Sequence, residues 1–146
     1  MQSPGFRARL LGLLDREPAL ASRLKAEITE TAEIEDVEEA VRTVEALRAR
    51  GVTLCIDDFG AGAAAFRYLR AFRVDLVKID GRYLRDAARS EQDRGILASM
   101  VGLIRAVGAR SVCERIETEA EADLVRGLGV DLGQGWLFGR PGALPC

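Results

Sequence analysis

From residue 25 onward, short apolar runs of strand length alternate with amphipathic stretches of helix length. That alternation restricts the fold more than any other feature of the chain. Strand-like runs fall at residues 25–29, 52–56, 74–80 and 111–114, with a weaker fifth inside 130–138. Between them, residues 36–50 carry Val37, Val41, Val44 and Leu47 on one helical face, and Gly51 stops the pattern. Helices are also expected over 63–72, 90–107 and 118–128, with Ser90 and Thr118 as N-caps. Residues 81–88 read as a loop or short helix, and two further helical stretches, 6–14 and 18–24, precede the first strand. Strand and helix in strict succession, at the spacing of βαβ units, imply an α/β fold with a parallel sheet. No linker or low-complexity stretch divides the chain, so residues 1–146 are expected to form a single domain.

The composition excludes several function classes. The net charge is −2, and the arginines are scattered among carboxylates rather than gathered in a basic stripe. That argues against nucleic-acid polymers and anionic membranes as partners. No apolar run is long enough to span a bilayer and the N-terminus lacks a signal-peptide pattern, so a cytoplasmic location is expected. Cys55 and Cys113 lie inside strand-like runs as small core residues, and no metal-type cysteine spacing occurs. Histidine is absent, which removes Ser-His-Asp and Cys-His catalysis and every imidazole metal site. Any metal must therefore be held by oxygen. Lys25 and Lys78 are the only lysines, and Lys78 sits inside a strand.

The strand ends carry the chemistry. The first ends in Glu27 and Glu30, the second in Asp57-Asp58, and the third in Lys78 and Asp80. The fourth ends in Glu114, with Glu117 three residues on, and the fifth carries Gln134. A parallel sheet brings all these ends to one edge, where α/β folds place their sites. Alternation along the third strand puts Leu76, Lys78 and Asp80 on one face and Val77 and Ile79 on the other. Acids after strands also serve as helix N-caps, and Glu30, Asp58 and Glu117 each fit that role. A carboxylate cluster with one lysine and no histidine calls for a hard cation such as Mg²⁺ or Mn²⁺, and the number of acids suits two ions. The matching chemistry is metal-assisted attack of water on a phosphodiester.

These residues carry a family resemblance. The motifs are Glu27-Ile28-Thr29-Glu30, Asp57-Asp58-Phe59-Gly60-Ala61-Gly62, Val77-Lys78-Ile79-Asp80, Glu114-Arg115-Ile116-Glu117 and Gln134-Gly135-Trp136-Leu137-Phe138-Gly139-Arg140-Pro141. In order and spacing they resemble the C-terminal part of an EAL domain, the bacterial family that hydrolyses cyclic di-GMP to linear pGpG. The resemblance implies that Glu27 and Asp57 are metal ligands and that Asp58 and Asp80 serve a second metal. It implies that Lys78 holds and polarises the attacking water or a phosphate oxygen. Glu114 would be a further ligand or the general base. Glu30 would brace the loop after Asp58, Gln134 would lie at the rim of the site, and Glu117 would support it.

The departures from the family pattern are specific. The tripeptide that names the family, and an asparagine ligand on its second strand, belong to the part of the domain that precedes the matched region. Glu45-Ala46-Leu47 spells the tripeptide but lies within a helical stretch, with Leu47 on the apolar face. Arg115 stands where the family usually has glycine, and the loop after Asp58 is Ala61-Gly62-Ala63-Ala64-Ala65, without the hydroxyls common there. The family fold is a TIM-like (βα)8 barrel, which usually needs ~250 residues. This chain is expected to form a partial barrel of about five parallel strands, with the N-terminal strands missing. Such an arc leaves two edges and an apolar interior to be covered, so a homodimer or higher oligomer is expected. Functionally the resemblance implies a truncated cyclic di-GMP phosphodiesterase with weak or no activity alone. The alternative is a non-catalytic module that binds the nucleotide or another protein.

Overall fold

A computed structural model describes residues 4–29, 34, 36–62 and 65–142. Helices α1 (Pro4–Arg16) and α2 (Pro18–Ala21) lead into strand β1 (Lys25–Thr29). Then follow α3 (Val37–Arg48), β2 (Thr53–Phe59), α4 (Ala65–Ala71), β3 (Leu76–Ile79) and α5 (Gly81–Ala87). The remainder is α6 (Glu91–Ala106), β4 (Arg110–Cys113), α7 (Glu119–Gly127) and β5 (Leu132–Gly133). The five strands form one sheet in sequence order, and every neighbouring pair is parallel. The expected α/β arc of five parallel strands is therefore present.

Side-chain alternation sorts the sheet into two faces. Ile28, Leu54, Ile56, Val77 and Ile79 are buried in one core with Val44 and Leu47 of α3, Tyr68 and Leu69 of α4, and Leu97, Val101 and Ile104 of α6. The other face carries a separate small cluster of Cys55, Leu76 and Val112. The register explains it: Cys55 pairs with Leu76, and Lys78 pairs with Val112 one step along the same face. Ile56 is completely buried, so truncation to alanine there removes about 2–5 kcal/mol. Leu47, at the end of the misleading tripeptide, is in the helix-facing core as its spacing required.

The helix starts follow their caps. Asp36 accepts from Glu39 N at 2.8 Å, Ser90 Oγ accepts from Asp93 N at 3.3 Å, and Thr118 forms a capping box with Glu121. Residues 81–87, left open between loop and helix by the sequence, are helical because the Asp80 side chain caps them.

Three strands differ from expectation by two residues or more. The third strand begins at Leu76, two residues late, because Asp75 does another job: its carboxylate accepts from Leu54 N at 2.8 Å. The second strand runs past Ile56 to Phe59, with an irregular register between those residues. The fifth strand is only Leu132–Gly133, since the chain then folds over Ile116. There Gln134 O accepts from Ile116 N at 3.1 Å, and Ile116 O accepts from Leu137 N at 3.1 Å. Among the described residues, no helix is long and apolar enough to cross a membrane.

Candidate metal centre

Lys78 is the centre of the site. Its Nζ lies 2.8 Å from Asp57 Oδ1, 2.8 Å from Glu114 Oε1 and 3.6 Å from Glu27 Oε1. Three neighbouring strands and the end of a fourth thus meet at one ammonium: Glu27 from β1, Asp57 from β2, and Glu114 just after β4. The Lys78 side chain is only 14% exposed. Burial works to lower its pKa, but the hydrogen bonds it donates to Asp57 and Glu114 outweigh that and raise it above the ordinary lysine range. Lys78 is a fixed cation here at neutral pH.

Carboxylate oxygens of Asp57, Asp58 and Glu114 all lie within 4.8 Å of one another. Neighbouring residues on a regular strand point to opposite faces, so Asp57 and Asp58 cannot both reach Glu114 without a break in the pattern. The break is at Asp58, whose φ is 55°. Left-handed backbone is disfavoured for most side chains, and aspartate is among the residues that tolerate it. The irregular register between Ile56 and Phe59 falls at the same place. Backbone conformation thus converts two adjacent acids into a converging pair.

The other expected residues take different positions. Asp80 is buried, and its Oδ1 accepts from Arg82 N at 2.7 Å and lies 3.2 Å from Arg82 Nε. Burial would raise its pKa, yet Arg82, with Arg115 beside it, holds the carboxyl below the usual range. Among the described residues Asp80 joins no group of three converging acids. Glu27 touches the site through Lys78 and lies outside the converging triple. Gln134 is exposed, and its backbone ties β5 to Cys113, with Gln134 N donating to Cys113 O at 2.9 Å. Glu117 is exposed at the start of α7, where its N–H donates to Glu121 Oε2. Glu30 lies outside the described residues. Burial, with a contribution from Glu27, pushes the Cys55 thiol up to about 12, so it is no thiolate nucleophile.

Two residues near the site escaped the motif reading. Arg82 engages Asp80, and the Tyr83 hydroxyl donates to Gly60 O at 2.8 Å. Their signal in the sequence is weak: both fall shortly after Asp80, in the stretch 81–88 that reads as a loop or short helix.

Three carboxylates pair with one ammonium at this edge and Asp58 converges on two of them, leaving a net negative charge that a hard divalent cation would balance. The donor set fits such an ion: all are oxygens, and three converge.

Comparison with known proteins agrees with this chemistry. The EAL domain family model matches residues 1–141. The Escherichia coli K12 cyclic di-GMP phosphodiesterase PdeL is 36% identical over 137 residues, covering 94% of this chain and 38% of its own length. The PaMucR phosphodiesterase in its c-di-GMP complex superposes with a TM-score of 0.82 at 32% identity, covering 96% of this chain and 57% of its own. Klebsiella pneumoniae BlrP1, in a manganese and cy-diGMP complex, gives 0.81 at 33% identity, covering 96% of this chain and 36% of its own. The chain thus spans well under two thirds of the curated relatives it matches. With the family model matched over nearly its whole length, the chain belongs to the EAL domain family.

Proposed function

We propose that this chain binds Mg²⁺ or Mn²⁺ and acts in the hydrolysis of cyclic di-GMP to pGpG. The observation that carries the proposal is the convergence of Asp57, Asp58 and Glu114 beside the Lys78 ammonium. Asp57, Asp58 and Glu114 would hold the cation, with Glu27 contributing from the Lys78 side. When bound, the cation supplies Lewis-acid polarisation of a phosphoryl oxygen and a more acidic water. Lys78 Nζ donates to a phosphate oxygen, or to the water, and offsets charge that builds in the transition state. A Glu114 oxygen accepts the proton of the attacking water. Asp80 holds the start of α5 through Arg82 N. Glu30, Glu117 and Gln134 are carried over from the family pattern as loop brace, support and rim.

Turnover of cyclic di-GMP with Mn²⁺, compared with Asp57→Ala, tests the proposal. Turnover by the wild type that the variant lacks supports it. Equal background rates sink it, and calorimetric titration with the nucleotide then tests the alternative of a non-catalytic binding module. We propose further that the chain works in the cytoplasm as a homodimer or higher oligomer. Strands β1 and β5 lie at the two edges of the sheet, and Leu132, Trp136 and Phe138 are exposed at one of them. A stable monomer at micromolar concentration by light scattering would overturn the oligomer.

A further inference from the structure

We propose that Tyr83 is a positioning residue for Asp58, holding from α5 the turn that aims the Asp58 carboxylate at Asp57 and Glu114. The inference rests on the reading of those three acids as a cation site. The turn after Asp58 has little in its own sequence to fix it. Gly60, Ala61 and Gly62 carry no polar side-chain atom, and Ala61 N donates to Asp58 O at 3.0 Å to close the turn. Two of its residues have left-handed backbone, Asp58 at φ 55° and Gly60 at φ 95°. A glycine-rich segment in that state has many alternatives, while the convergence of Asp58 with Glu114 belongs to this one.

Tyr83 constrains the turn in two ways. Its hydroxyl donates to Gly60 O at 2.8 Å. Its ring fills the space beside Gly60 so closely that a Cβ there would lie 2.5 Å from Tyr83 Cε2. The base of this latch is firm. Helix α5 is capped by Asp80 and buries Gly81, Leu84 and Ala87. Tyr83 also leans on the helix-facing core, so the turn is tied to the body of the domain and not to another loop. A hydroxyl from α5 thereby does what hydroxyls within the turn would otherwise do.

The test separates the hydroxyl from the ring. Tyr83→Phe keeps the packing and removes the hydrogen bond, and Tyr83→Ala removes both. Two quantities are read on the full chain: amide hydrogen exchange over residues 58–62, and Mn²⁺ affinity from the free-ion electron paramagnetic resonance signal. In Tyr83→Phe both should change by about three- to tenfold, the loss of one hydrogen bond, with the thermal midpoint falling by only about 2–4 °C. Tyr83→Ala should show a larger change in each. Unchanged exchange in Tyr83→Phe overturns the latch. Faster exchange with unchanged Mn²⁺ affinity overturns the positioning role. A wild-type chain that takes no Mn²⁺ overturns the cation site, and with it the role of Tyr83 toward Asp58. Exchange in Tyr83→Phe that rises as much outside residues 58–62 as within them would reduce Tyr83 to a packing residue.

Discussion

The Lys78 ammonium lies 2.8 Å from Asp57 Oδ1 and so holds one of the three acids that converge at the site. It holds Glu114 at the same distance. In the metal-free chain Lys78 is therefore the resident cation of a cluster that would otherwise be mutually repulsive. Lys78→Met should destabilise the metal-free protein by about 2–3 kcal/mol, somewhat less than a fully buried pair costs to break because the carboxylates are partly in water. Added Mn²⁺ should recover more stability in the variant than in the wild type, since no ammonium competes for Asp57 and Glu114. Urea unfolding in chelator and in Mn²⁺ measures both. Equal stability of the two proteins in chelator would show that Lys78 does not hold the cluster together.

Asp131 holds the opposite edge of the sheet, and its contribution depends on pH. Its Oδ2 accepts from Ser111 N and Ser111 Oγ, each at 2.8 Å. The Ser111 backbone N–H, followed by its hydroxyl, holds the Asp131 carboxyl below the usual range. A depressed carboxylate stabilises the fold above its unfolded value of about 3.9, and the benefit is lost as pH falls through the folded value. Asp131→Asn should therefore cost about 1 kcal/mol at pH 7, a small figure because the residue is exposed. The gap should close on acidification below about pH 4. Urea midpoints of both proteins across that range check it, and a gap independent of pH would show that charge plays no part.

Most of the architecture was legible because strand and helix periods differ and the chain keeps them distinct. Alternation alone placed Lys78 on the face opposite Val77 and Ile79, and Val77 and Ile79 are indeed in the helix-facing core. What alternation could not place was Asp58, because its convergence with Asp57 depends on a backbone angle that breaks the alternation. Asp75 and Asp131 were hidden for another reason. Val74-Asp75-Leu76 and Val130-Asp131-Leu132 look like strand interiors, yet each aspartate uses its side chain to accept an N–H from the preceding strand. That shared use of a side chain is a tertiary relationship, visible only once β2 lies beside β3 and β4 beside β5. Tyr83 was missed because nothing local to α5 announces a bond to Gly60, 23 residues away.

Arg115 offers a test of stored strain. It has φ 58°, and its Cβ and Cδ cover Gly81 so closely that a Cβ built there would lie 2.6 and 3.0 Å from them. Left-handed backbone costs a residue with a Cβ about 1–2 kcal/mol. Arg115→Gly relieves that strain but gives up the cover over Gly81, so a net gain of about 0.5–1 kcal/mol is expected. Arg115→Ala keeps the strain and the Cβ contact but loses the Cδ cover and the guanidinium, and it should be the least stable of the three. Thermal unfolding ranks them. If Arg115→Gly falls below the wild type, the contacts of Arg115 with Gly81 and its field at Asp80 outweigh the backbone strain.

Gly135 is the point where the end of the fold is pressed onto the site. A Cβ there would sit 2.1 Å from Ile116 O and 2.3 Å from Ile116 N, both backbone atoms that cannot swing aside. Ile116 is two residues past Glu114, and the segment is held on both sides by Gln134 O and Leu137 N. Gly135→Ala must therefore lift one strand end from the other, at about 3 kcal/mol or more, the upper range for overpacking. The displacement should reach Glu114 and weaken Mn²⁺ binding as well. Gly12→Ala is the control: Gly12 lies in α1 with nothing within 4 Å of a new Cβ, and the exchange should stabilise the helix by about 0.5–1 kcal/mol. Urea unfolding and Mn²⁺ titration of both variants decide the matter. A Gly135→Ala protein with wild-type stability would mean that the turn over Ile116 is not closed in solution.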